Sequence, residues 1–379
     1  MKKIKHFLKI ALISFLPPFF IYLPFILKIK NLLFLNINKD GMLNIYRNWD
    51  GPSYLVVAKS FYNPKIITKL LFSPLPATYF SAHFPLYPLL IKITSFIFPL
   101  TQAGIIVNLI AGFFLNLFFF EFIKNRTKNP YFLTFVFTIL PARSFVTRVI
   151  IAPETLLSFF TLLSVISFRK KQYLKASLFL TAALLTKFQI IILAFAYGFV
   201  FIKQFIEDKK INLLVQKAVF LAISAIAVLI LFYFFELKFG NFWAYFEAQN
   251  TNDLTISLPF SQFNSKATWI KSIWLEDLIF YYLLGFMLVF KVYEQRKKKM
   301  ETFLFSTFYL LFLAFLPQRD ITRFSFPLMP FFFETFSSLF EKKYVKLAIL
   351  STLPAIFFYT LNFILGNQAP ITNWAPFLY

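Results

Sequence analysis

"ITSFIFPLTQAGIIVNLIAGFFLNLFFF", residues Ile93 to Phe120, contains no charged side chain. A helix rises about 1.5 Å per residue, so roughly 20 apolar residues cross the ~30 Å hydrocarbon core of a bilayer. This stretch is long enough. Ile10–Leu27 and Ala218–Phe235 are uncharged runs of the same kind. Of the 379 residues, 59% are hydrophobic, with a mean hydropathy of +0.69. Soluble proteins sit near 45–50% apolar. The chain therefore reads as an all-α, polytopic, multi-pass integral membrane protein, with a single transmembrane domain over 1–379.

Working outward, eleven candidate spans appear: Leu8–Ile29, Gln102–Ile123, Tyr131–Val146, Thr155–Phe168, Tyr173–Thr186, Phe188–Ile206, Leu213–Phe235, Leu275–Tyr293, Thr302–Leu316, Phe324–Phe340 and Tyr344–Leu365. The basic start, with Lys2, Lys3, Lys5 and Lys9, leads into an apolar stretch with no A-x-A-like cleavage site. It reads as a retained first span. Phe84–Leu100 is apolar enough to cross, but charge argues against it. Short loops rich in Lys and Arg stay in the cytoplasm. With the N-terminus inside, the loop Lys124–Pro130 is inside only if an even number of crossings precedes it. Phe84–Leu100 is then re-entrant or interfacial. The loops Arg169–Lys175, Lys203–Lys210, Lys291–Lys299 and Glu341–Lys346 also fall on the cytoplasmic side. Together these inner segments hold 22 of the 39 Lys and Arg residues.

That choice defines a first outer loop over residues 30–101, with interface helices, and another over 236–274. Single cysteines test it. In intact cells an impermeant thiol reagent should label Ser53→Cys and spare Thr127→Cys. The reverse pattern refutes the topology.

The net charge of +23 is not read as nucleic-acid binding, because the cations sit in short loops between spans and form no separate stripe. There is no cysteine, and only His6 and His83 are present. Disulfides and thiolate metal sites are excluded, and imidazole ligands are too few for a zinc or di-iron site. No cofactor is expected, and no metal centre of these kinds.

The polar residues that stand out lie in the outer loops. Asp50, in "NWDGPSYLVVA", sits in a Trp49-Asp50-Gly51-Pro52 turn. It reads either as a general base for a substrate hydroxyl or as a helix N-cap. "HFPLYPLL", His83–Leu90, reads as a Pro-pinned helix entry. "RSFVTRVIIAPE" places Arg143, Arg148 and Glu154 in the second outer loop. The arginines suit phosphate by their fork geometry, or snorkel at a helix end. Glu154 also suits the first turn of a helix. Lys187 in "LLTKFQ" is a ligand or an interfacial anchor. "FGNFWAYFEAQN", with Glu247 and Gln249, reads as an interfacial amphipathic helix. "PQRDITRFSFP" carries Arg319, Asp320 and Arg323, with an Asp320–Arg323 pair at helical spacing. Glu334 falls inside the tenth span, nearly alone, and an intramembrane carboxylate is a functional candidate.

In this order the set carries a resemblance. "W-D-G-x-x-Y-L-x-x-A-x-x-x-Y" (Trp49–Tyr62) is followed by "F-P-L-Y-P-L" (Phe84–Leu89). Then come Pro153-Glu154, Thr186-Lys187, "F-G-x-x-x-A-x-x-x-A-Q" (Phe239–Gln249) and Arg323-Phe324 before Phe326-Pro327-Leu328. The chain resembles the PIG-V-like mannosyltransferases, relatives of GPI mannosyltransferase II within the GT-C glycosyltransferase superfamily. It departs from them in "IIAPE" before the span and in the residues after Gln249, where Asn250-Thr251-Asn252-Asp253 stand in place of a tryptophan.

The resemblance implies a GT-C-type bundle of about eleven helices. It implies transfer of a sugar, usually mannose, from a polyprenyl- or dolichyl-phosphate carrier to a glycan or glycolipid hydroxyl. Transfer occurs with inversion, at the extracytoplasmic membrane face, and enzymes of this kind with monophosphate lipid donors generally need no metal. Asp50 becomes the expected base and Glu154 the second catalytic candidate. The expected substrate-binding set is Trp49, Tyr54, His83, Arg148, Lys187, Gln249, Arg319 and Arg323. The competing class is a lipid or glycolipid transporter or flippase, which has no need of the Trp-Asp-Gly turn. A non-catalytic scaffold explains none of the outer polar residues.

Overall fold

A computed structural model describes residues 2–37, 40–70, 75–209, 211–251, 256–264, 275–318, 320–369 and 375–378. It is 77% helical. Among the described residues the sheet is a single pair of two-residue strands, Asn31–Leu32 and Leu35–Asn36.

The helices run α1 (Lys2–Ile26), α2 (Leu43–Tyr46), α3 (Gly51–Ser60), α4 (Pro64–Leu70), α5 (Leu86–Thr94), α6 (Leu100–Ile123), α7 (Pro130–Ile139), α8 (Ala142–Val149) and α9 (Glu154–Arg169). They continue as α10 (Tyr173–Leu184), α11 (Ile191–Asp208), α12 (Ile211–Phe239), α13 (Ala244–Thr251), α14 (Glu276–Glu294), α15 (Met300–Ala314), α16 (Ile321–Phe324) and α17 (Met329–Thr335). The last are α18 (Lys343–Ser351), α19 (Leu353–Gly366) and α20 (Ala375–Leu378). Two compact units result. The first is Met1–Leu75, Pro85–Phe159 and Phe336–Tyr379; the second is Pro76–Phe84 and Phe160–Thr335.

Five helical segments are long and apolar enough to cross a membrane: Lys3–Ile26, Leu100–Ile123, Phe188–Asp208, Lys217–Phe239 and Lys343–Gly366. Counting the bent pair α7–α8 as one span makes six. Their surfaces show the same thing. On α12, Ile226, Leu229, Ile230 and Tyr233 are all exposed. An apolar ridge of this kind marks a face that meets lipid or another apolar surface.

Length and composition thus carry five or six of the eleven spans read from the sequence. The others are helical but shorter or interrupted, except α14, whose 19 residues carry Glu276, Asp277, Lys291 and Glu294. α9 has 16 residues, α10 has 12 and α15 has 15, or about 24, 18 and 22 Å. Phe324–Phe340 is not one helix. It breaks into the end of α16, a 3-10 turn Phe326–Leu328, α17 and a 3-10 turn Leu339–Glu341. Pro327 and Pro330 lack the N–H groups that a continuous helix would use there. Tyr131–Val146 is bent by 78° between α7 and α8, where Pro141 stands at the N-cap of α8.

Inside lipid the freed backbone groups of such a break need partners. In the first unit, Asn108 Nδ2 donates to the carbonyls of Thr147 (2.7 Å) and Ile150 (2.6 Å). The Tyr22 hydroxyl donates to the carbonyl of Val149 at 2.9 Å. Phe84–Leu100, the ambiguous segment, becomes the nine-residue α5 and a turn before α6. α5 is about 14 Å long, too short to cross. It packs on α3 and α6.

Candidate functional site

In the first unit the Trp49-Asp50-Gly51 turn is built under constraint. Trp49 has a φ of 50°, a left-handed conformation that costs a bulky residue about 1–3 kcal/mol unless its surroundings impose it. The surroundings do. The Trp49 N–H donates to the Asn367 carbonyl at 2.9 Å, and the Ala369 N–H to the Arg47 carbonyl at 2.8 Å. The Asn48 side chain donates to the Ile364 carbonyl at 2.9 Å. The Trp49 ring stacks on Phe363 with centroids 5.9 Å apart. The buried Arg143 guanidinium lies 3.9 Å from the Phe363 centroid and 5.1 Å from that of Trp49.

Gly51 is required by close approach. A Cβ there would stand 3.1 Å from the Tyr46 carbonyl oxygen and 3.2 Å from the Ile151 Cβ. On its other side Ile151 presses on Gly104, where a Cβ would come within 2.9 Å of the Ile151 Cδ1. The segment leading to Glu154 is therefore wedged between the turn and α6.

Asp50 occupies the N-cap position of α3, but its side chain makes no capping hydrogen bond. The N-cap reading of its carboxylate is corrected here. Its backbone is already helical, φ −80° and ψ −4°, whereas a capping side chain usually needs an extended backbone to reach back to the N2 or N3 amide. The half-buried carboxylate is thus not consumed by the helix end.

Tyr54, one turn along α3, is buried and meets Tyr87 edge-on at 5.2 Å. The Tyr87 hydroxyl donates to the Gly104 carbonyl at 3.3 Å. It also shares a hydrogen bond with the Ala152 backbone and interacts electrostatically with Glu154. Glu154 is fully buried and opens α9. Asp50, Trp49, Tyr54 and Glu154 thus belong to one packed cluster, with Tyr87 and Ile151 at its centre.

Arg148 is turned elsewhere. Its guanidinium is buried among α6, α7 and α8, donating to Asn116 Oδ1 at 3.1 Å and to the Phe137 carbonyl at 3.2 Å. It also lies over the Phe137 ring at 4.7 Å. Asn116 in turn donates to Ser14 and Thr138, each at 3.0 Å. The cation beside the aspartate turn is Arg143. The sequence carries a faint mark of the difference: Asn108 and Asn116 are eight residues apart on an apolar helix, which predicts an intramembrane polar partner on their face.

The second unit assembles the remaining expected residues. His83 is buried at the end of the 3-10 turn Ala77–Ala82, its ring 5.5 Å from Tyr79 and 6.0 Å from Phe80. This turn packs on α13, which carries the half-buried Gln249. Phe84 meets Tyr245 of α13 at 5.0 Å, and Tyr245 meets Phe188 at 5.2 Å. Next to Phe188, Lys187 places its ammonium 4.7 Å from the Phe324 centroid. Gln189 donates to the Tyr309 hydroxyl at 2.6 Å, which donates to the Phe324 carbonyl at 2.9 Å. Arg323, the neighbour of Phe324, is buried. Ring contacts thus run from Phe84 through Tyr245 to Phe188, with His83 and Lys187 adjoining them in sequence and Arg323 adjoining the Phe324 ring that Lys187 faces. Arg319 lies outside the described residues. Among the described residues no group of three or more His, Asp or Glu side chains is placed to hold a metal ion.

The expectation that Glu334 stands nearly alone is overturned. Glu334 is buried and receives Arg169 Nη1 at 2.9 Å and Lys299 Nζ at 2.9 Å. Arg169 Nε also binds Glu301 Oε1 at 2.8 Å, and its Nη2 the Thr302 hydroxyl at 2.7 Å. Two acids and two cations 132 or more positions apart for each Arg169 contact are invisible to a local reading. No protein-family model, curated protein or solved structure matches the chain.

Proposed function

We propose that the chain is a membrane glycosyltransferase of the GT-C kind, a bundle of about eleven spans, related to the PIG-V-like mannosyltransferases. It moves a sugar, mannose by the resemblance, from a polyprenyl- or dolichyl-phosphate carrier to a glycan or glycolipid hydroxyl at the extracytoplasmic face. The observation that carries this reading is the strained Trp49-Asp50-Gly51 turn, whose carboxylate is not used as a helix cap.

In the reaction the acceptor O–H proton passes to the Asp50 carboxylate. The acceptor oxygen bonds to the anomeric carbon from the face opposite the leaving group, and the carbon–oxygen bond to phosphate breaks with its electron pair. The configuration inverts and a lipid phosphate departs. A positioned base contributes about 10²–10⁴-fold. Cations aimed at the phosphate stabilise the charge that builds on it. The aromatic frame keeps out water that would compete as acceptor.

The purified protein with radiolabelled polyprenyl-phosphate mannose and candidate acceptors tests the assignment by transfer of label. The same assay identifies the phosphate group's partner among Arg143, Lys187 and Arg323. A hydrogen bond to a charged group is worth about 1.5–3 kcal/mol. Replacing the right cation by Gln should therefore raise donor KM or lower kcat roughly ten- to hundredfold. Full activity in all three Gln variants would place the phosphate elsewhere. A transporter is the second reading, favoured by the buried Ser14–Asn116–Thr138–Arg148 network, since intramembrane polar groups often line transport paths. Label moved across vesicles without transfer to acceptor would select it.

A further inference from the structure

Three stretches of the first unit converge at one end of its bundle: the start of α1, the α6–α7 loop and the start of α18. His6 Nδ1 meets the Tyr131 hydroxyl at 2.9 Å, and Lys9 Nζ lies 4.9 Å from the Tyr131 ring centroid. Glu341 Oε1 accepts from the Lys128 N–H at 2.7 Å and the Thr127 hydroxyl at 2.9 Å. The Ser337 hydroxyl donates to the Arg126 carbonyl at 3.2 Å. Lys346 lies 5.7 Å from the Phe132 centroid.

The convergence concentrates positive charge. Lys3, Lys5, Lys9, Lys124, Arg126, Lys128, Lys342 and Lys343 are all exposed around it. The two acids of these stretches are both engaged. Glu121 pairs with Lys124 at 2.6 Å. The Lys128 N–H and the Thr127 hydroxyl hold the Glu341 carboxyl below the usual carboxylate range, so it stays ionised and ties the loops together. Next to the cations the surface turns apolar. Phe7, Leu8, Tyr344 and Leu347 are between 51% and 64% exposed. Cations bordered by aromatics and then by exposed aliphatic side chains match the order of headgroup, interface and acyl chain in a bilayer.

We propose that this end of the first unit is a binding site for anionic phospholipid, with Lys5, Lys9, Arg126 and Lys128 on the headgroup phosphates and Tyr131 and Phe132 at the interface. A polyanionic macromolecule fits less well, because the cations border a lipid-facing apolar surface and not a water-exposed groove. The site is independent of the glycosyl-transfer reading. By the charge rule it lies on the cytoplasmic side, where anionic lipid is abundant.

The test uses the full chain, solubilised from a bilayer of mixed anionic phosphatidylglycerol and zwitterionic phosphatidylcholine. The readout is the ratio of the two lipids that copurify, relative to the bilayer. Each cation near an anionic surface adds about fivefold to binding. The triple variant Lys5→Gln, Lys9→Gln, Arg126→Gln should lower the enrichment of phosphatidylglycerol by at least about tenfold. The charge-keeping variant Lys5→Arg, Lys9→Arg, Arg126→Lys should retain it, which controls for loss of fold. Lys59→Gln, Lys65→Gln, Lys69→Gln, which removes three exposed cations from α3 and α4, should leave it unchanged. Soluble glycerophosphate should not compete. No enrichment in the native chain, equal loss in both Gln triples, displacement by glycerophosphate, or tighter retention of added RNA than of lipid would each overturn the proposal.

Discussion

Asp50→Asn is expected to fold, to bind the lipid-phosphate donor, and to transfer sugar at least about a hundredfold more slowly. The substitution keeps the volume of the side chain, and no helix cap is at stake because the carboxylate makes no capping hydrogen bond. In the proposed transfer it removes the proton acceptor, and a positioned base is worth about 10²–10⁴-fold. Asp50→Glu should recover little, since an added methylene displaces the oxygen from a turn held on both sides. That turn has no slack: Gly51 abuts Tyr46 and Ile151, and Trp49 is fixed by Asn367 and Phe363. Rate measurements at saturating donor and acceptor decide the matter. An Asn variant at full kcat would leave Asp50 a structural residue and turn attention to Glu154, in the same cluster.

The second large effect concerns stability. Arg169→Met should lower the unfolding free energy by about 3–5 kcal/mol, because removing one partner of a buried ion pair strands the other charge. Arg169 bridges two acids, so its loss leaves Glu301 without its cation while Lys299 still neutralises Glu334. The pairing makes a sharper expectation. Arg169→Met with Glu301→Gln restores neutrality and should regain a good part of the loss, whereas Arg169→Met with Lys299→Met should be worse than either alone. Denaturation midpoints in one detergent would show the order. Equal midpoints for the native chain and Arg169→Met would mean that the network contributes nothing.

Much of the architecture could be read from local pattern. Uncharged runs mark α1, α6 and α12 because a period of 3.6 does not matter when every face is apolar. The charge rule separated Phe84–Leu100 from the long spans, and the segment is a nine-residue helix. Local pattern failed where proline acts inside an apolar run. Pro141, Pro327 and Pro330 break segments that hydropathy alone joins. It failed again where partners are remote. Arg143 and Arg148 look alike as letters, yet five positions along α8, about 140° around the helix, send one to Trp49 and the other to Asn116. For Asp50, the residues around it announce a helix start. Whether the carboxylate caps that helix depends on a φ and ψ that composition does not encode.

The clasp on the aspartate turn also sets a time. The Asn48 side chain and its Ile364 carbonyl partner are 316 positions apart. A ribosome adding about 5–20 residues per second makes the turn some 15–60 s before it makes the helix that braces it. Until then Trp49 lacks the Asn367 and Phe363 contacts that brace its left-handed conformation. A nascent chain is thus born with its aspartate in place but its geometry unset, and closure of the turn coincides with arrival of α19.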